Sequence, residues 1–205
     1  MSGVLILLLA AASIYFGIAY NVLEHLGLTD SQALLIIGLM IGGSFIDIPL
    51  LTGRTEISIN MGGAVVPLAL AVYFFSRADS YNELFRGFGA VIITTGVVYG
   101  ISQVINLGLP QREIIHPIWF FGIISGITGF LTAKSHRHAF TASTFGIILT
   151  DIIHLVKAYE MNLPAIAAIG GRGVFDTVIF AGLVAVFLVE IVGENRVQLN
   201  GTSED

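Results

Sequence analysis

The chain has 205 residues, 55% hydrophobic and 11% charged, with a formal net charge of −5 and a mean hydropathy of +0.89. Soluble domains are about one quarter charged, so this composition points to an integral membrane protein. The acidic balance argues against nucleic acid as a partner, and the lack of cysteine excludes disulfides, thiolate metal centres and cysteine nucleophiles.

Crossing ~30 Å of hydrocarbon takes about 20 apolar residues as a helix. Seven runs meet or approach that length: 3–22, 31–51, 60–76, 87–106, 114–133, 139–158 and 174–193. In lipid each backbone polar group has to be paired internally, and a long apolar run does this as a helix. The predicted fold is therefore an all-α polytopic transmembrane bundle of about seven spans. It forms one integral membrane domain over 1–205, with a short polar tail at 194–205.

The first run, "MSGVLILLLAAASIYFGIAY", lacks the basic start of a cleaved signal peptide and reads as a span. The second ends in "SFIDIPLL". There Pro49 kinks or ends the helix, and Asp47 either caps the break or binds a cation. The third opens "NMGGAVVP". Asn60 reads first as its N-cap and otherwise as a contact to substrate or backbone, with Gly62 and Gly63 beside it. In the fourth, Gln103 and Asn106 serve helix ends or interhelical bonds. In the fifth, Trp119 beside His116-Pro117 suits an aromatic belt. Gly122, Gly126 and Gly129 there form a small-residue face that packs within the chain or between chains.

The sixth run follows a basic turn, Lys134 to His138, in which His136 and His138 read as solvated. Asp151 lies mid-span in "GIILTDIIHLVKAY", with His154 three residues on along the same face. A mid-bilayer acid costs roughly 2.5–3.5 kcal/mol on insertion scales, which makes it a functional candidate by default. Its plainer alternative is a protonated acid bonded to a neighbouring helix. The seventh run opens "GGRGVFD". Gly170, Gly171 and Gly173 allow close backbone approach, and Asp176 either acts chemically or favours the positive end of the helix dipole. Arg172 either pairs with an acid or snorkels to headgroups. Glu190, near the far end, reads as structural.

No cofactor-binding pattern is present, and no metal is expected. Spacing such as HExxH is absent, and a site from Asp151, His154 and Asp176 is a minor alternative. If all seven runs span, Arg77, Arg86, Lys134, Arg137 and Arg196 share one side, and Arg54, Arg112, Lys157 and Arg172 the other. Five against four slightly favours a multi-pass cell-membrane protein with its N-terminus outside and C-terminus inside. An internal repeat is also suggested. "GGSFIDIPLL" precedes "INMGGAVVP" as "FGIILTDIIHL" precedes "AIGGRGVFD", each an acid near one helix and then Gly-Gly opening the next.

Two resemblances add to this. The segments "INMGGAVVPLALAVYFF" and "GGRGVFDTVIFAGLVAVFL" are similar to an uncharacterised family of small prokaryotic membrane proteins, which implies a compact multi-span fold and no assigned activity. Over roughly 145–190, "LTDIIHL" followed by the glycine turn and Asp176 resembles the GxGD intramembrane aspartyl proteases. That resemblance implies two catalytic aspartates, one activating water and the other protonating the scissile carbonyl. Here two residues separate Gly173 from Asp176, where that family places the acid directly after the glycine. A closing Pro-Ala-Leu motif has no counterpart after the seventh run.

Two functions follow from these residues. The first is an aspartyl intramembrane hydrolase with Asp151 and Asp176 as catalytic pair, acting on a membrane-embedded peptide. The second is a small transporter or cation- or proton-coupled carrier for a small solute or ion. In it Asp47, Asp151 and Asp176 line a midplane site, supported by Asn60, Gly62, Gly63, His154, Gly171, Arg172 and Gly173. The bilayer is the one partner common to both, and the sequence leaves the oligomeric state open.

Overall fold

The computed structural model describes residues 2–17, 19–51, 56–78, 80–108, 117–133, 135–161, 166–170 and 177–201. It is mostly helical. Helix α1, Ser2–Tyr15, bends by 99° into the short α2, Tyr20–Leu26. The bend occupies a region where Gly17 has φ +72°, which disfavours a continuous helix, so the first predicted span is broken. Helix α3, Asp30–Gly43, starts at a capping box: Thr29 Oγ1 accepts from Gln32 N, and Gln32 Oε1 accepts from Thr29 N.

At 14 residues α3 is ~21 Å long, short of the hydrocarbon thickness. The rest of the predicted second span is strand β1, Asp47–Leu51, antiparallel to β2, Glu56–Asn60. Pro49 thus sits in an exposed edge strand, where its missing N–H is tolerated, rather than kinking a helix. Strand β3, Ile166–Ile169, pairs in parallel with β2, giving a sheet of order β1-β2-β3. The all-α expectation is corrected by this sheet. Backbone polar groups at these helix breaks are paired in the ladders instead.

A π-helical turn, Met61–Val65, leads from β2 into α4, Val66–Ser76. Then follow α5, Tyr81–Gly108, α6, Pro117–Thr132, α7, His136–Glu160, and α8, Thr177–Gly201. Helix α7 is central and packs against α4, α5, α6 and α8. Val98, Ile147, Ile148, Val178 and Ala181 form the main core cluster, which reaches Ala64 of the π-turn and Ile169 of β3.

Among the described residues two helices, α5 over Tyr81–Ile105 and α7, are long and apolar enough to cross a membrane unbroken. The bent α1–α2 pair would be a third. All seven predicted runs contain helix, but four shorter apolar helices fall below that length. A bilayer also accounts for the outer face of α5, where Phe88, Ile92 and Val104 are largely exposed. The glycine face of α6 packs within the chain. A Cβ at Gly122 would meet the Phe180 ring, one at Gly126 would meet Val184, and one at Gly129 would meet Ala139 and Ser143. Between lipid-facing helices apolar burial gives little drive, so such close small-residue contacts do the holding.

Candidate functional site

Two polar clusters form where the predicted site residues fold. The first is built on Asn60, which is fully buried at the end of β2. Its Oδ1 accepts from Gly63 N at 2.8 Å, and its Nδ2 donates to the Ser44 carbonyl at 2.9 Å and to Asp47 Oδ1 at 2.8 Å. The N-cap reading is thus met, and Asn60 also joins the end of α3 to β1. Asp47 and Asn60 are cross-strand partners. The two glycines beside Asn60 allow what no larger residue would. A Cβ on Gly62 would run into the Met40 carbonyl and Ser44 N, and one on Gly63 into the Gly170 carbonyl. Gly170 has φ +83°, and a Cβ there would sit 2.5 Å from that of Ala64. Gly170 directly follows β3 and Gly62 follows β2 after Met61 alone, and those strands lie side by side, Ile59 opposite Ile169. The two segments that suggest a repeat in sequence thus meet in one sheet. Their acids differ, since Asp47 lies in a strand and Asp151 within a helix.

Asn60→Ala tests this cluster. It leaves the buried Gly63 N–H and Ser44 carbonyl without their partner, at about 1–3 kcal/mol per group. We expect a loss of about 3 kcal/mol, read as a fall in melting temperature of about 6–12 °C in detergent. A fall under 2 °C would mean that the cluster is not holding α3 to the sheet.

The second cluster lies on α7 at Asp151, His154 and Lys157, facing α5. Ser102 Oγ donates to the Tyr99 carbonyl at 2.7 Å and lies 3.0 Å from His154 Nε2. A hydroxyl has one proton, so with that proton on the carbonyl, His154 Nε2 is the donor to Ser102. The His154 ring also lies against Tyr99, and the Tyr99 hydroxyl takes hydrogen bonds from Gln103 Nε2 and Lys157 Nζ. Gln103 thus bonds within its own helix, while Ser102 and Tyr99 are partners that sequence reasoning missed. They stand 52 and 58 residues from His154 and Lys157, and no local spacing signals the contact.

A cavity of about 110 Å³ opens here between α5, α6, α7 and α8. Ser102, Thr150, Asp151, His154 and Thr177 supply its polar wall, and Val98 and Ile147 part of its apolar wall. Asp151 is half-buried. Asp47, Asn60, Gly62 and Gly63 do not line this cavity; they belong to the first cluster. Gly171, Arg172, Gly173 and Asp176 lie outside the described residues. Thr177, the residue directly after Asp176, does line it. Of the histidines read as solvated, His138 is buried in the first turn of α7, with Nδ1 2.7 Å from Ser135 Oγ, and His136 is largely covered and bonded to Glu190.

This arrangement holds, in a small apolar-floored space, a carboxyl group, an imidazole and hydroxyls, at a size suited to a few water molecules. It can hold water and move protons along the α7 face. No curated protein and no solved structure matches the chain. Residues 15–188 match the model of a family described as protein of unknown function, DUF1614, and the chain belongs to that family.

Proposed function

We propose that this protein is a multi-pass membrane hydrolase of the aspartyl type, with Asp151 and Asp176 as its catalytic pair and a membrane-embedded peptide as its substrate. The observation that carries this reading is the cavity shared by Asp151 and Thr177, the immediate neighbour of Asp176. One carboxylate would activate a water held there, and the other, protonated, would donate to the scissile carbonyl. Two close acids share a proton readily, because one ionised group disfavours ionisation of the next. His154 and Ser102 would orient the water. The volume supports water chemistry over solute binding, since small-molecule pockets run to ~300 Å³ or more. Strand β3 adds support. It is an edge strand running up to Gly170, and an extended peptide can add to such an edge through its backbone. The N-terminus would lie outside and the C-terminus inside.

A carrier is the second reading, favoured by the line of Asp151, His154 and Lys157 along α7, which would pass a proton between the cavity and the helix end. Asp47, which the carrier would use at the same site, bonds to Asn60 instead. Purified protein in liposomes separates the two. The hydrolase yields new peptide termini by mass spectrometry from a co-reconstituted single-span peptide, with no proton flux under an imposed gradient. Flux without cleavage across a panel of such peptides would overturn the hydrolase and support the carrier.

A further inference from the structure

At the other end of α7, ~22 Å along its axis from Asp151, three helices bring together a second set of chemically active side chains. His25 comes from the last turn of α2, His136 from the first residue of α7, and Glu190 from α8. One ligand atom from each lies within 4.8 Å of the other two. We propose that these residues form a binding site for a divalent transition-metal ion, with zinc the best-matched species.

The geometry differs from that of a simple ion pair. Both imidazoles address the same carboxylate oxygen: His136 Nε2 lies 2.8 Å and His25 Nδ1 3.7 Å from Glu190 Oε2. The rings stack, with centroids 4.6 Å apart and planes 10° from parallel. Two imidazolium cations so stacked would repel, at about 1–4 kcal/mol over 4 Å for effective dielectrics of 80 to 20. Replacing the proton between these three atoms with one metal ion satisfies both nitrogens and the oxygen together. Tetrahedral zinc with bonds of 2.0–2.1 Å spaces its ligands ~3.3 Å apart, between the two separations seen here. On binding, His136 Nε2 gives up its proton, and the bond to Glu190 is replaced by two bonds to the ion.

The donor set selects the metal. Two imidazoles and one carboxylate suit zinc, copper or nickel, whereas calcium and magnesium prefer oxygen alone. Three protein ligands leave the fourth position for water. Access is provided by His25, whose side chain is 58% exposed, while His136 and Glu190 are 12% and 14% exposed. The neighbouring cation, Arg137, is turned onto the Leu26 carbonyl at 3.1 Å and against Gly27. An ion here would clamp α2, the short helix beyond the bend, to α7 and α8.

The test uses full-length protein in detergent, purified on a tag without histidine, stripped of metal and titrated with Co²⁺. We expect one equivalent to bind with tetrahedral visible absorption and to be displaced by Zn²⁺. Zn²⁺ should also raise the melting temperature, and Mg²⁺ should not. His25→Ala removes an exposed ligand without endangering the fold, and should weaken Co²⁺ binding by about 100-fold or more and abolish the Zn²⁺-dependent rise. His136→Gln and Glu190→Gln should do the same. The proposal is overturned if the wild type shows no saturable binding, or if His25→Ala binds Co²⁺ as the wild type does. These readouts need no hydrolytic activity, so the outcome is independent of the function proposed above.

Discussion

The proposed aspartyl pair predicts that Asp151→Asn and Asp176→Asn each lower cleavage of a membrane-embedded peptide by about 100-fold or more, the usual range for losing a positioned acid or base. Asparagine is the informative replacement because it matches aspartate in shape and donates a hydrogen bond as a protonated acid does. If Asp151 is only a protonated acid bonded to a neighbouring helix, Asn keeps the bond, and both activity and melting temperature survive. If it activates water, Asn keeps the fold and loses the chemistry. The measurement therefore pairs initial cleavage rates with melting curves for each variant. Asp47→Asn is the control. Its carboxylate serves Asn60, away from the cavity, so cleavage should continue at near the wild-type rate wherever the variant remains folded. Retained cleavage in either the Asp151 or the Asp176 variant would rule out the pair.

How far these features were legible in the sequence depended on whether their cause was local. Helices α5 and α7 were readable because each is one uninterrupted apolar run. The runs predicted at 87–106 and 139–158 lie inside Tyr81–Gly108 and His136–Glu160. The Asn60 cap was readable because its partner, Gly63, is three residues away. The strands were not. "DIPLL", "EISIN" and "IAAI" are four or five residues long, and at that length an apolar strand cannot be told from a helix end by periodicity. What makes β3 a strand is its pairing with β2, over a hundred residues earlier. The same holds for Ser102 against His154, and for His25, His136 and Glu190. Each pair or triplet is created by packing of distant helices, and composition carries no trace of it. Glu190 reads as structural and His136 as solvated in the sequence because 54 residues separate them, and only the packing of α7 on α8 brings them to 2.8 Å.

The glycine motifs join the local and the distant, and they carry the second large expectation. Gly62→Ala and Gly63→Ala should each destabilise the protein by about 3 kcal/mol or more, at the upper end of overpacking effects. Their obstacles are backbone atoms: the Met40 carbonyl and Ser44 N for Gly62, and the Gly170 carbonyl for Gly63. A flexible side chain would swing aside, but these groups are held by α3 and by the sheet, so a whole element has to move. The expected readout is a melting temperature lower by about 6–12 °C in detergent, with low yield of folded protein. Gly38→Ala in α3 is the matched control. Its Cβ would meet nothing within 4 Å, and alanine favours helix over glycine, so its stability should be equal or higher. The consequence for function follows from the chain path. Gly63 sets how closely the π-turn approaches Gly170, and seven residues after Gly170 the chain reaches Thr177 at the Asp151 cavity. A methyl group at Gly63 should therefore reduce cleavage even in the fraction that remains folded, whereas Gly38→Ala should leave it unchanged. Full activity per folded molecule in Gly63→Ala would separate the glycine junction from the site and leave it a purely architectural contact.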